Sequence, residues 1–163
     1  MGRTYDSSKE QIYKIYKNLF NSDIQYGKKK DILRALFIGE KWTWKVVKIS
    51  KNVVLECKEK EFKKPPRRFE RHHPDKYEFA NTASFLLKGH LKTIEEWNEF
   101  LDNHEKTYLL TKEEHSDWEN IYSDIILYDV NPDYNLFLNT DRGWYHGKAE
   151  EKFLKNLVIK MQL

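Results

Sequence analysis

Apolar residues at Ile12, Ile15, Tyr16, Leu19 and Phe20 recur with a helical period. They predict a helix from Ser7 or Ser8, either of which can cap it, to about Phe20. Ile32, Leu33, Leu36 and Phe37 predict a second helix from Lys29 to Ile38, with Gly39 as its stop. From Trp42 to Ile49 the pattern changes to alternation, which predicts a strand. Ser50-Lys51-Asn52 reads as a turn, and Val53 to Glu59 as the returning strand of a hairpin. Lys63-Lys64-Pro65-Pro66 breaks regular structure, and Arg67 to His73 predicts a third strand ended by Pro74.

Further along, Phe79 to Lys88 reads as a short helix stopped by Gly89. Thr93 caps a helix that carries Glu95 and Glu96 in its first turn and Trp97, Phe100 and Leu101 on its apolar face. Thr107 to Thr111 predicts a strand. Thr111 with Glu114 then forms a capping box that opens a helix to about Tyr122. A second hairpin is expected from Asp124 to Val130 and Tyr134 to Leu138, around Asn131-Pro132-Asp133. Asn139 to Gly147 reads as a loop. A helix from Ala149 to Met161 closes the chain with Phe153, Leu154, Leu157, Val158 and Met161 inward. The fold class this implies is α+β in a single domain: a short antiparallel sheet, an N-terminal helix pair, a ββα-like element and a C-terminal helix.

Composition narrows the function classes. The 163 residues suffice for one domain with a sizeable core. There is no apolar run of the ~20 residues that span a bilayer and no signal-peptide apolar segment, so a cytoplasmic protein is expected. The single Cys57 excludes an internal disulfide and a Cys-rich zinc site. Charge is divided along the chain. Residues 1–73 hold 19 Lys and Arg against 9 Asp and Glu, a net of +10, and residues 74–163 hold 10 against 17, a net of −7. The change of sign falls at Arg67-Arg68-Phe69-Glu70-Arg71-His72-His73. A basic segment of this kind suits nucleic-acid phosphates, with Lys63, Lys64, Arg67, Arg68 and Arg71 as the expected contacts.

The candidate chemistry lies in His72-His73 together with Leu109-Leu110-Thr111-Lys112-Glu113-Glu114-His115. A strand ending in paired histidines, then a strand running into a helix with a histidine near its start, resembles the ββα-metal (HNH) nuclease motif. The resemblance covers about fifteen residues in two pieces. It implies that His72 is a metal ligand, that His73 is the general base activating water, and that His115 completes the metal site. Glu119, one helical turn beyond His115, is the expected third ligand. The family's middle asparagine falls near Asn103, or on Asn81 in a rival placement that uses His90. Phosphodiester cleavage needs a base with a near-neutral pKa and a divalent cation, here Mg²⁺ or Mn²⁺ or, with imidazole ligands, Zn²⁺.

Two other resemblances are weighed beside it. Val53-Val54-Leu55-Glu56-Cys57-Lys58 is similar to the Glu-x-Lys strand of PD-(D/E)XK nucleases, which implies Glu56 at a metal and Lys58 orienting water. His72-His73-Pro74-Asp75 with His90 matches the histidine spacing of pterin carbinolamine dehydratases, but Pro65-Pro66 forbids the long helix that family needs before its His pair. Gly143-Trp144-Tyr145-His146 reads as a loop anchored to the core, with Arg142 and Lys148 at its rim. The expectation is a metal-dependent endonuclease acting on nucleic acid, most simply DNA, in a restriction, phage or defence setting. A homodimer would suit a palindromic site. The alternative is a non-catalytic nucleic-acid- or protein-binding module.

Overall fold

A computed structural model describes residues 3–63, 69–74, 82–104, 106–140 and 143–162, without the side chains of Asn103 and His104. The first helix, α1 (Lys9–Phe20), opens with a capping box in which Ser8 accepts from the Gln11 amide and the Gln11 side chain accepts from Ser8 N–H. α2 (Tyr26–Phe37) begins three residues earlier than the pattern predicts. Gly39 follows it at φ +87°, where an added Cβ would stand 2.8 Å from the Tyr5 ring. Only glycine fits there without moving that ring.

β1 (Lys45–Ser50) starts after the two tryptophans rather than at Trp42. Trp44 sits at φ +53°, outside the extended region, and Trp42 donates its indole N–H to Ser7 O at 2.7 Å. The expected hairpin does not form. Residues 51–59 are a helix, α3 (Lys51–Glu59), capped by Ser50 Oγ accepting from Val53 N–H at 3.2 Å. Val53, Val54 and Cys57 are its buried face, at spacings that fit a helix as well as a strand. The Ser50 cap decides between them.

β2 (Phe69–His72), α4 (Thr82–Lys88), α5 (Ile94–His104) and β3 (Lys106–Thr111) follow. The Thr111 capping box is present, but the helix it opens is short. α6 (Lys112–Ser116) ends at Asp117, with φ −110° and ψ 16°, and α7 (Trp118–Ile121) restarts beyond it. The second expected hairpin also fails. β4 (Leu127–Asp129) pairs antiparallel with β1, and the next residues enter a 3-10 turn at Pro132–Tyr134. Asn135 and Phe137 then take left-handed φ values of 48° and 53°, which no strand tolerates. β5 (Asn139–Thr140) and β6 (Gly143–Trp144) form a small separate ladder inside the expected loop. α8 (Lys148–Met161) closes the chain, with Glu150 reaching back to Gly147 N–H at 2.8 Å.

The fold is α+β, with a four-stranded sheet in the order β2-β3-β1-β4. The sheet is mixed rather than antiparallel: β1 and β3 run parallel, because α3, β2, α4 and α5 intervene between them and give the chain room to cross over. Among the described residues two apolar clusters form. One gathers α1, α2, α4 and α5 around Trp97, Tyr16 and Phe37. The other lies between the sheet, α3 and α8, around Ile49, Leu109, Val54 and Leu154. Asn139 joins them, donating to Thr43 Oγ1 at 3.1 Å and to Phe37 O at 3.4 Å. Among the described residues no helix is long and apolar enough to cross a membrane.

Candidate functional site

The site begins with register. β2 and β3 pair antiparallel, with Phe69 opposite Thr111, Arg71 opposite Leu109 and His72 opposite Tyr108. Side chains alternate across a strand, so Phe69 and Arg71 face α3 and α8 while Glu70 and His72 face the other way. α6 folds back on that second side. Its His115 ring lies 5.5 Å from that of His72, centroid to centroid, at 77°. The break at Asp117 brings Trp118 over His72 as well, at 4.1 Å.

What fixes α6 there is Glu114. Its buried carboxylate accepts from Ser50 Oγ at 2.5 Å, Asn52 Nδ2 at 2.9 Å and Thr111 N–H at 2.9 Å. The capping residue thus bonds to the start of α3 as well as to its own helix. This three-way hold satisfies a carboxylate that would otherwise be costly to bury. His115, the next residue, inherits a fixed position over β2.

His72 is half-buried. Burial, and secondarily the neighbouring His115, push its pKa down from 6.5 to about 4. At neutral pH its imidazole is neutral, with a lone pair available to a cation. His73 follows the end of β2 and lies edge-on to the Trp44 indole, 6.5 Å away at 83°. It therefore neighbours a different aromatic group from His72.

The remaining expected residues are dispersed. Glu119 is exposed on α7, not on a continuous helix with His115, because Asp117 interrupts the turn that would align them. Among the described residues no three His, Cys, Asp or Glu side chains converge as a metal-binding group. His72 and His115 thus fit half of a ligand set for a divalent cation, and Glu119 does not complete it. Asn103 stands in the last turn of α5, with its side chain outside the described residues. Asn81, Lys64, Arg67 and Arg68 also lie outside them. Lys63 is exposed and bridges to Glu61 at 2.9 Å.

Arg71 has a structural task beside any phosphate contact. Its two terminal nitrogens donate to Trp44 O and Phe137 O. Both acceptor residues hold left-handed backbone, so one guanidinium ties down two strained aromatic positions.

Glu56 and Lys58 lie on α3. Two residues apart on a helix, they point about 200° apart, so the strand geometry of the PD-(D/E)XK arrangement is absent. His90 belongs to the helical cluster, stacked on Phe20 at 4.2 Å, remote in role from the His72–His115 pair. His146 lies within hydrogen-bond distance of Phe62 O, 2.7 Å from it, and packs beside Trp144, which supports its reading as a loop anchor.

Sequence reasoning missed Trp118 and Tyr108. The pattern places Trp118 inside a helix running from Thr111 to about Tyr122. A large ring within the polar run Glu113-Glu114-His115-Ser116-Asp117-Trp118-Glu119 was the available signal. Comparison with family models, with curated proteins and with solved structures gives no match.

Proposed function

We propose that the chain is a metal-dependent, HNH-like endonuclease that cleaves nucleic-acid phosphodiester bonds. The observation that carries this reading is the strand–strand–helix unit β2-β3-α6 with His72 and His115 brought within 5.5 Å. The imidazoles of His72 and His115 would hold the cation, and His73 would take the proton from the attacking water. The cation, when bound, would stabilise negative charge on the phosphate. Mg²⁺, Mn²⁺ and Zn²⁺ are the candidates, DNA is the expected substrate, and a cytoplasmic restriction, phage or defence role suits the size of the chain.

The test is nicking of supercoiled plasmid and of circular single-stranded DNA by purified protein in Mg²⁺, Mn²⁺, Zn²⁺ or EDTA. Nicking should need the metal and should fall by at least about a hundredfold in His73→Ala, the usual scale of general-base catalysis. His72→Ala and His115→Ala should lose activity together and raise the metal concentration required. Activity that survives all three substitutions, or that persists in EDTA, would sink the assignment. Absence of cleavage with nucleic-acid binding intact would favour the binding-module reading.

A further inference from the structure

The side of the sheet that carries His72 continues beyond the histidine pair. His72 is opposite Tyr108, Tyr108 is opposite Lys48, and Lys48 is opposite Asp129. These four residues make one row across all four strands. Toward the start of the parallel pair, beyond a register shift between Val46 and Lys48, Lys45 lies beside Lys106. Val46 and Thr107, the next residues, are buried on the opposite side, so the two lysines share the face of Tyr108 and Lys48. Trp118 closes the row at the His72 end, 6.0 Å from the Tyr108 ring, and the exposed Tyr122 ring lies 6.2 Å beyond it.

This face differs from the other side of the same sheet. There α3 and α8 cover Val46, Ile49 and Leu109 completely. Here α6 covers only part of the sheet: Leu110 is fully buried, Tyr108 is half-buried, and Lys48 and Lys106 reach solvent. The rings lie over β2 and β3, the ammonium groups on β3 and β1, and the Asp129 carboxylate on β4 ends the row. Lys48 meets Asp129 at 3.4 Å, an exposed pair that solvent weakens. Glu70 also faces this side, beside His72. Asp117 and Glu119 flank Trp118 and bound the face on the far side. Asp117 is engaged by Asn120 at 2.5 Å.

We infer that this open sheet face binds single-stranded nucleic acid, with bases stacked on Trp118 and Tyr108 and the backbone phosphates along Lys48, Lys45 and Lys106. Aromatic planes next to cationic side chains suit a strand whose bases are free to stack. A duplex, with its bases already paired and stacked, would engage the lysines but not the rings. An acidic peptide would likewise use the lysines and leave Trp118 idle. The inference rests on the nuclease reading only in making His72 a metal ligand at the end of the row, and it names the strand form that reading would act on. Binding is separable from cleavage because it needs no metal.

The experiment is fluorescence anisotropy in EDTA with the full chain and labelled 15-nucleotide oligo-dT, 15-nucleotide oligo-rU and a 15-base-pair duplex. Either single strand should bind at least about tenfold tighter than the duplex. Trp118→Ala should weaken single-strand binding by about tenfold, the scale of one lost stacking contact, and Trp118→Phe should restore most of it. Lys45→Gln with Lys106→Gln should lower the slope of log affinity against log salt by about 1.4. Lys160→Gln, on the far end of α8, should change nothing. Circular dichroism confirms that each variant is folded.

Equal or tighter duplex binding would overturn the inference. So would a folded Trp118→Ala that binds like the parent, or Trp118→Phe failing as badly as Trp118→Ala, which marks a structural ring. Absence of oligonucleotide binding overturns it too and leaves a protein partner for this face. Loss of nicking activity with single-strand binding intact would count against the nuclease reading alone.

Discussion

Around Trp97 the buried groups are chiefly rings and aliphatic chains, with Tyr16 as the polar anchor. Trp97 stacks on Tyr16 at 5.0 Å and on Phe37 at 5.9 Å. The Tyr16 hydroxyl shares its proton between Leu86 O and Gly89 O and accepts from Leu91 N–H, closing the end of α4. The sheet region is held in another way. It buries the Glu114 and Glu150 carboxylates and directs each at backbone amides or at a neighbouring element. Arg71 adds two bonds to carbonyls of left-handed residues. The helical cluster therefore depends on shape and area, which tolerate some repacking. The sheet cluster depends on polar geometry, where one lost partner strands several others. The candidate site lies in the second region, where side-chain positions are set by directional bonds.

The largest expected effect breaks the helical side of this comparison. Trp97→Ala should cost about 4 kcal/mol, the usual range for a buried tryptophan, measured by urea unfolding. Because Asn139 ties the two clusters together, the loss should be global. Cys57, in the sheet cluster, reports it: burial, with Glu56 adding, pushes its thiol up to about 12, so it reacts with thiol reagents only when opened. Its labelling should accelerate in step with the lost stability. Unchanged labelling would mean that the clusters open independently.

A smaller effect tests the sheet side. Glu114→Ala should cost about 3 kcal/mol, because a charged acceptor is removed from three donors, again read by urea unfolding. It should also release α6, shifting Trp118 emission to the red and abolishing the His72–His115 pairing. A mutant with normal stability and unchanged emission would show that α6 is placed by packing alone.

The smallest effect concerns pH. The His72 pKa is depressed when folded, from 6.5 to about 4. Between those values the unfolded chain binds a proton that the folded chain refuses, so stability falls as pH falls through this window and is fully present above it. After discounting for solvent exposure the contribution is about 1 kcal/mol. His72→Gln, measured by urea unfolding from pH 7 to 4, should flatten that part of the profile. An unchanged slope would place the pH dependence on another group.

The periodic segments were legible because their pattern needs no distant partner. α1, α5, β3 and α8 follow from apolar spacing and, for α1 and α5, from local caps at Ser8 and Thr93. The paired histidines at a strand end and the histidine near a helix start were legible for the same reason. The Val53–Glu59 segment was not, because its apolar spacing satisfies two periods, and Ser50 decided in favour of the helix by capping it while also bonding Glu114 from 64 residues away. The second hairpin failed because β4 found β1 as its partner, and the left-handed Asn135 and Phe137 close off a return strand. Sequence alone determined the α+β class and where charge and histidine lie along the chain, since local propensity and composition carry both. Only the tertiary structure decided that His72 meets His115, that Glu119 stands apart, and that Tyr108, Lys48 and Trp118 share a face, since strand register and a helix break are set by contacts between residues distant in the chain.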